Sequence, residues 1–131
     1  MARIEWVLLC ERAFLDRHER LSLVGVATHF RVPSLPLEIG QIMMVARLID
    51  GRPGDELAVG VAISTPRGGW VQPREAGFEV EQAGEYLLVT LRDVPLVEAG
   101  MYRFAMALGE QEVVVDIPVA LIAPPARLSV H

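Results

Sequence analysis

The chain has 131 residues, of which 52% are apolar, and a formal net charge of −5. That length fits one domain with a substantial core, and that apolar content excludes a disordered chain. The acidic balance, with no basic stripe to displace counterions, excludes a general nucleic-acid binder, and no apolar run approaches the ~18 residues of a membrane span.

All 12 basic residues are Arg, and neither Lys nor Asn occurs. The chain therefore has no lysine for a Schiff base or a P-loop, and no N-glycosylation sequon. A single cysteine, Cys10, cannot form an internal disulfide, which points to a reducing compartment. The opening MARIEWVLLCERAF has too short an apolar stretch for a signal peptide, broken by Glu5 and followed by Glu11. A cytoplasmic location is expected.

Alternation of apolar and polar residues dominates, and no segment carries a helical stripe. Strands are predicted in chain order at Arg3–Glu11, Arg20–Arg31, Gln41–Asp50, Glu56–Thr65, Glu85–Asp93, Met101–Leu108 and Glu112–Ile122, with a weaker one at Gly77–Gln82. Asp16–Glu19 reads as a polar turn. Val32-Pro33-Ser34-Leu35-Pro36 reads as a crossing, because proline lacks a donor and fixes φ. Asp50–Asp55 reads as a short link, and Gly109-Glu110 as a hairpin turn. Seven to eight short strands at this spacing predict an all-β, antiparallel sandwich of immunoglobulin or fibronectin-III type. Residues 1–123 would form that single domain, with 124–131 a flexible tail.

Glu98-Ala99-Gly100-Met101-Tyr102-Arg103-Phe104 has the acid-x-Gly-x-Tyr form of a tyrosine corner, in which a Tyr hydroxyl bonds back to upstream backbone. Gly100 would free the turn, and Tyr102, Phe104, Met106 and Leu108 would point inward together. Phe104 stands where antibody domains place a cysteine. Together with Cys10-Glu11, Leu21–Val26 and the Val32–Pro36 crossing, this segment resembles an uncharacterised bacterial family of small immunoglobulin-like sandwiches. The resemblance implies a sandwich and supplies no activity.

A fibronectin-like assignment puts Gln41–Asp50 and Glu56–Thr65 in one hairpin, within a sheet that also holds the last two strands. Pro118, which cannot donate to a ladder, then fits an edge strand. The outward face of that sheet would carry Ala58, Gly60, Ala62 and Ser64, then Arg103, Ala105 and Ala107. Such a face is flat, small and poor in charge. Four strands would cover on the order of 400–500 Å², about half of one side of a standard interface of roughly 800 Å². Two explanations compete for it: an interface, and a codon bias toward Ala and Gly or a covering by Gly77–Gln82.

Catalytic chemistry finds little support. His18 lies in a mixed-charge turn, His29 on a strand and His131 at the terminus, without metal-ligand spacing. Cys10 has no base beside it in sequence and reads as buried and inert. None of the four serines, Ser22, Ser34, Ser64 and Ser129, sits in a nucleophile elbow. No catalytic residue, metal site or cofactor is expected. The loop Pro66–Arg74 alone invites a ligand: Arg67, Trp70 and Arg74 could stack on a sugar or anchor a partner. Its glycines equally suit Trp70 as a lid over the end of the sandwich. The sequence thus reads as a non-enzymatic interaction module that self-associates or binds another protein, with a carbohydrate- or small-ligand-binding domain as the alternative.

Overall fold

The structure is a computed structural model that describes residues 1–71 and 78–122. Among the described residues nine strands follow in chain order: β1 (Arg3–Leu15), β2 (Leu21–Ala27), β3 (Phe30–Val32), β4 (Leu37–Ile49), β5 (Val59–Ser64), β6 (Phe78–Ala83), β7 (Tyr86–Leu96), β8 (Gly100–Leu108) and β9 (Gln111–Leu121). They build two sheets, ordered β2-β1-β4-β7-β6 and β3-β9-β8-β5. No helix among the described residues is long and apolar enough to cross a membrane. The expected tail at 124–131 lies outside the described residues.

Alternation decides what enters the core. Ile42, Met44, Ala46 and Leu48 of β4, Leu87, Val89 and Leu91 of β7, and Tyr102, Phe104, Met106 and Leu108 of β8 all turn inward and are buried. Tyr102 and Phe104 are the largest of the fully buried side chains. The Gln111 side chain ties the two sheets together. The Ile4 N–H donates to Gln111 Oε1 (2.7 Å), and Gln111 Nε2 donates to the Ile4 carbonyl (2.9 Å).

Several expectations need correction. Strand Gln41–Asp50 does not pair with Glu56–Thr65. As β4 it lies between β1 and β7 in the five-stranded sheet, and β5 pairs with β8 instead. The physical reason lies in β4 itself: it is apolar on both faces, which suits a central strand flanked by partners on each side. The run Arg20–Arg31 divides, because Thr28-His29 interrupts it and Phe30–Val32 crosses to the other sheet. There β3 runs parallel to β9, so the sandwich is not wholly antiparallel. Pro118 is on an edge only in part. The partner β3 begins at Val119, so β9 is flanked there, and Pro118 sits just before that pairing starts, where a missing donor costs nothing.

The local turns follow their chemistry. Asp16 accepts from the His18 and Arg20 N–H groups (2.8 and 3.0 Å) and from Arg20 Nε (2.9 Å). Those donors favour the charged carboxylate and lower its pKa, the Arg20 N–H contributing most. Its oxygens are thereby engaged in the turn, and His18 has no ligand set around it. Among the described residues no group of three or more His, Cys, Asp or Glu could hold a metal. Gly109-Glu110 closes β8 onto β9, with Leu108 opposite Gln111 and Gly109 at φ 59.

Candidate functional site

The outward face of the four-stranded sheet is built by register. Ala62 lies opposite Ala105, and Ala105 opposite Val114. Gly60 lies opposite Ala107, and Ala107 opposite Glu112. Ser64 lies opposite Arg103, and Arg103 opposite Asp116. The alternate residues point into the core, so these rows share the outer side. The structure therefore brings Ala58, Gly60, Ala62, Ser64, Arg103, Ala105 and Ala107 onto one surface.

That surface differs from the expected one in two ways. The strand Gln41–Asp50, expected beside Glu56–Thr65, is missing from it because β4 lies in the other sheet. An ion pair crosses it: Arg103 Nε donates to Asp116 Oδ1 at 3.0 Å, which raises the Arg103 pKa, the hydrogen bond to Asp116 contributing most. What remains apolar is a strip of small residues on β5 and β8, bordered by Val114, with exposed Met101 beyond the ion pair. The segment expected as Gly77–Gln82 does not cover it. Its described part forms β6 in the other sheet, and Gly77 lies outside the described residues.

The loop after β5 is anchored at the tyrosine corner. The Val97 and Glu98 N–H groups donate to Tyr102 Oη (2.9 and 3.2 Å), and the Tyr102 hydroxyl donates to the Glu98 carbonyl (3.1 Å). Gly100 has φ +133, and a Cβ there would come within 2.7 Å of Pro66. It is therefore required both for its backbone conformation and for the close approach of the loop. Arg67 pairs with Glu98 at 2.9 Å while its side chain stays 86% exposed. Trp70 is not a lid: it is 65% exposed. The reason is the hairpin turn. Thr65 N–H donates to the Gly69 carbonyl (2.8 Å) and Val71 N–H to the Ile63 carbonyl (3.0 Å). This turns Val71 toward the core and leaves Trp70 outside it. Arg74 lies outside the described residues, so the structure does not bring it together with Trp70.

A second apolar surface was missed by the sequence reading. On the outer side of the five-stranded sheet, Cys10, Met43, Val45 and Leu88 form a buried cluster under Trp6, Leu8, Leu21, Leu23 and Tyr86. The Trp6 and Tyr86 rings lie 6.2 Å apart, centroid to centroid, tilted by 44°. Arg47 closes one end by pairing with Glu5 and, at 3.2 Å, with Glu85. Burial raises the Cys10 thiol pKa, which keeps it protonated and unreactive. The signal was present in the sequence: the unbroken run Trp6–Cys10 and the doubly apolar β4 both mark strands without a wet face.

A depression of about 640 Å³ lies between the Asp50–Asp55 loop and Gly84-Glu85. Asp55 is committed there to its own turn, accepting from the Arg52 N–H at 2.9 Å. No polar or charged side chain is buried among the described residues, so no desolvated acid or base is held in place.

Two packed sheets and a hydrogen-bonded tyrosine corner define an immunoglobulin-like β-sandwich. The chain belongs to the DUF6941 family, described as a family of unknown function, whose profile matches residues 5–120. No curated protein matches the chain. Among solved structures the "M1 domain from titin" is similar at 12% identity and a TM-score of 0.34, covering 63% of this chain and 78% of that one.

Proposed function

We propose that the chain is a non-enzymatic interaction module that self-associates through the outer face of the four-stranded sheet. One observation carries this reading: across Ala58, Gly60, Ala62, Ala105 and Ala107 no side chain protrudes beyond a Cβ, so another flat surface can approach closely. The three longer strands, of 6, 9 and 11 residues, give that face on the order of 400 Å². Two copies would bury about twice that, below the roughly 1,200 Å² of stable complexes. Association is therefore weak and concentration-dependent. The free, buried Cys10 supports a reducing compartment, and we place the module in a bacterial cytoplasm.

Gly60→Arg tests the proposal. A Cβ at Gly60 meets only the Ala107 Cβ at 3.7 Å, so the backbone accepts a side chain there, and circular dichroism checks that the variant is folded. Sedimentation over a wide concentration range should show the wild type shifting toward dimer and Gly60→Arg remaining monomeric. A folded Gly60→Arg variant that dimerises like the wild type removes the face from consideration.

The exposure of Trp70 favours a second reading, a site for a sugar or a small aromatic ligand. Trp70→Ala should then abolish binding to such ligands in a glycan array and leave self-association intact.

A further inference from the structure

The outer face of the four-stranded sheet is crossed by a row of unlike groups. Ser64 lies opposite Arg103 on one side and forms an isolated antiparallel bridge with Trp70 on the other. Bridged residues point to the same side of a sheet, so Trp70 stands outward with Ser64. The row reads Trp70, Ser64, Arg103, Asp116, and spans about 15 Å at the usual spacing between strands. Its two ends are chemically opposite. Trp70 is 65% exposed and offers an indole N–H donor and a ring face. Asp116 offers a carboxylate beside the Arg103 guanidinium, with Nε to Oδ1 at 3.0 Å and the two side chains 45% and 60% exposed.

A second copy can lie on this face about a two-fold axis in few ways, and the charges separate them. Take first an axis perpendicular to the strands. Centred on the Ala62–Ala105–Val114 row, it stacks Asp116 on the partner's Glu112. Moved to a neighbouring row, it stacks Arg103 on the partner's Arg103 or Glu112 on the partner's Glu112. Take next an axis parallel to the strands. Placed along β8 or β9, it again stacks like charges, which opposes association. Placed along β5, or between β8 and β9, it leaves one strand of the face unmatched. Only an axis between β5 and β8 avoids both faults. It sets Ala62 over the partner's Ala105 and Gly60 over the partner's Ala107, small on small. In the charged row it sets Ser64 over the partner's Arg103 and Trp70 over the partner's Asp116.

We infer that Trp70 anchors self-association: the indole of each copy seats on the Arg103–Asp116 pair of the partner subunit. Its N–H is directed to the Asp116 carboxylate and its ring to the Arg103 guanidinium, a contact made twice per dimer. The pair suits this role because it presents a flat, neutral platform whose hydrogen-bonding capacity is only partly used. The pairing with Asp116 also draws each Arg103 away from the axis, and so away from its copy across it. The methyl groups let the sheets approach between the two anchors but cannot choose a partner. A large exposed aromatic can. This inference rests on the proposed self-association through the face, and adds the residue that selects the partner and the way the two copies are turned.

Cross-linking reads the orientation directly. Cys10, the one native cysteine, is buried, so introduced thiols report alone. Under mild oxidation of the full chain, a mixture of Ala62→Cys and Ala105→Cys should form the mixed disulfide at least about tenfold faster than either variant links to itself, because only the facing pair comes within disulfide reach. Fast linking of Ala62→Cys to itself would mean the perpendicular axis and would overturn the inference. Trp70→Ala should weaken wild-type association by about tenfold or more in sedimentation, with circular dichroism unchanged. A folded Trp70→Ala variant that dimerises like the wild type would overturn the anchor and leave self-association through the face standing. A wild type that stays monomeric at every concentration would remove self-association itself, and the anchor with it.

Discussion

The outer faces of the two sheets solve the same problem in opposite ways. On the five-stranded sheet, bulky side chains from neighbouring strands lean over one another. Trp6, Leu8 and Tyr86 cover their neighbours so well that Cys10 and Val45 are 0% exposed without any third layer. On the four-stranded sheet the residues are short: Ala105 is 8% exposed, Gly60, Ala62 and Ala107 beside it are partly exposed, and the Arg103–Asp116 pair stands in the open. Apolar content alone thus says little about stickiness. A face of large residues can bury itself, whereas a face of methyl groups leaves the backbone close to whatever approaches.

The contrast can be broken most sharply by placing a carboxylate on each face. Val45→Asp would put an unpaired charge into a site without solvent, and should cost about 3 kcal/mol or more. Ala62→Asp, on the open face, should stay within about 0.5 kcal/mol of wild type. Urea unfolding midpoints of the two variants measure the difference, and equal midpoints would mean that the large residues do not seal their face. A smaller effect tests the seal without mutation. Cys10 should react with iodoacetamide only when the covering side chains open, slower by about a thousandfold than in the urea-unfolded chain. The smallest effect concerns the other face. A double-mutant cycle on Arg103→Ala and Asp116→Ala should return about 0.2–1 kcal/mol, falling with salt, as for an exposed pair.

Much of the fold was legible because strand alternation reports directly which side chains share a face. Tyr102, Phe104, Met106 and Leu108 point inward as their spacing requires, and Gly109-Glu110 closes the hairpin it suggests. The tyrosine corner was readable from Gly100 and Tyr102 alone, since its hydrogen bonds are local. Sheet membership was not readable in the same way. Alternation in β4 states that two faces are apolar, but not which neighbours provide the burial. The short link after Asp50 favoured a hairpin that long-range packing against β1 and β7 overrides. The break at Thr28-His29 was hidden inside a continuous alternating run. Of the candidate site, the face on β5 and β8 was visible in the pattern. The exposure of Trp70 was not, because it depends on one backbone hydrogen bond between Val71 and Ile63.

The Gln111 clasp on Ile4 has a consequence for how the protein is made. It joins residues separated by 107 positions, so a nascent chain cannot close it until Gln111 has left the ribosome. Until then the opposite layer lacks β9, and the apolar surface of β1 that packs against it stays uncovered. Such long-distance pairing slows folding toward the millisecond-to-second range typical of β-sandwiches, and leaves the growing chain dependent on its own early hairpins, or on a chaperone, for shelter.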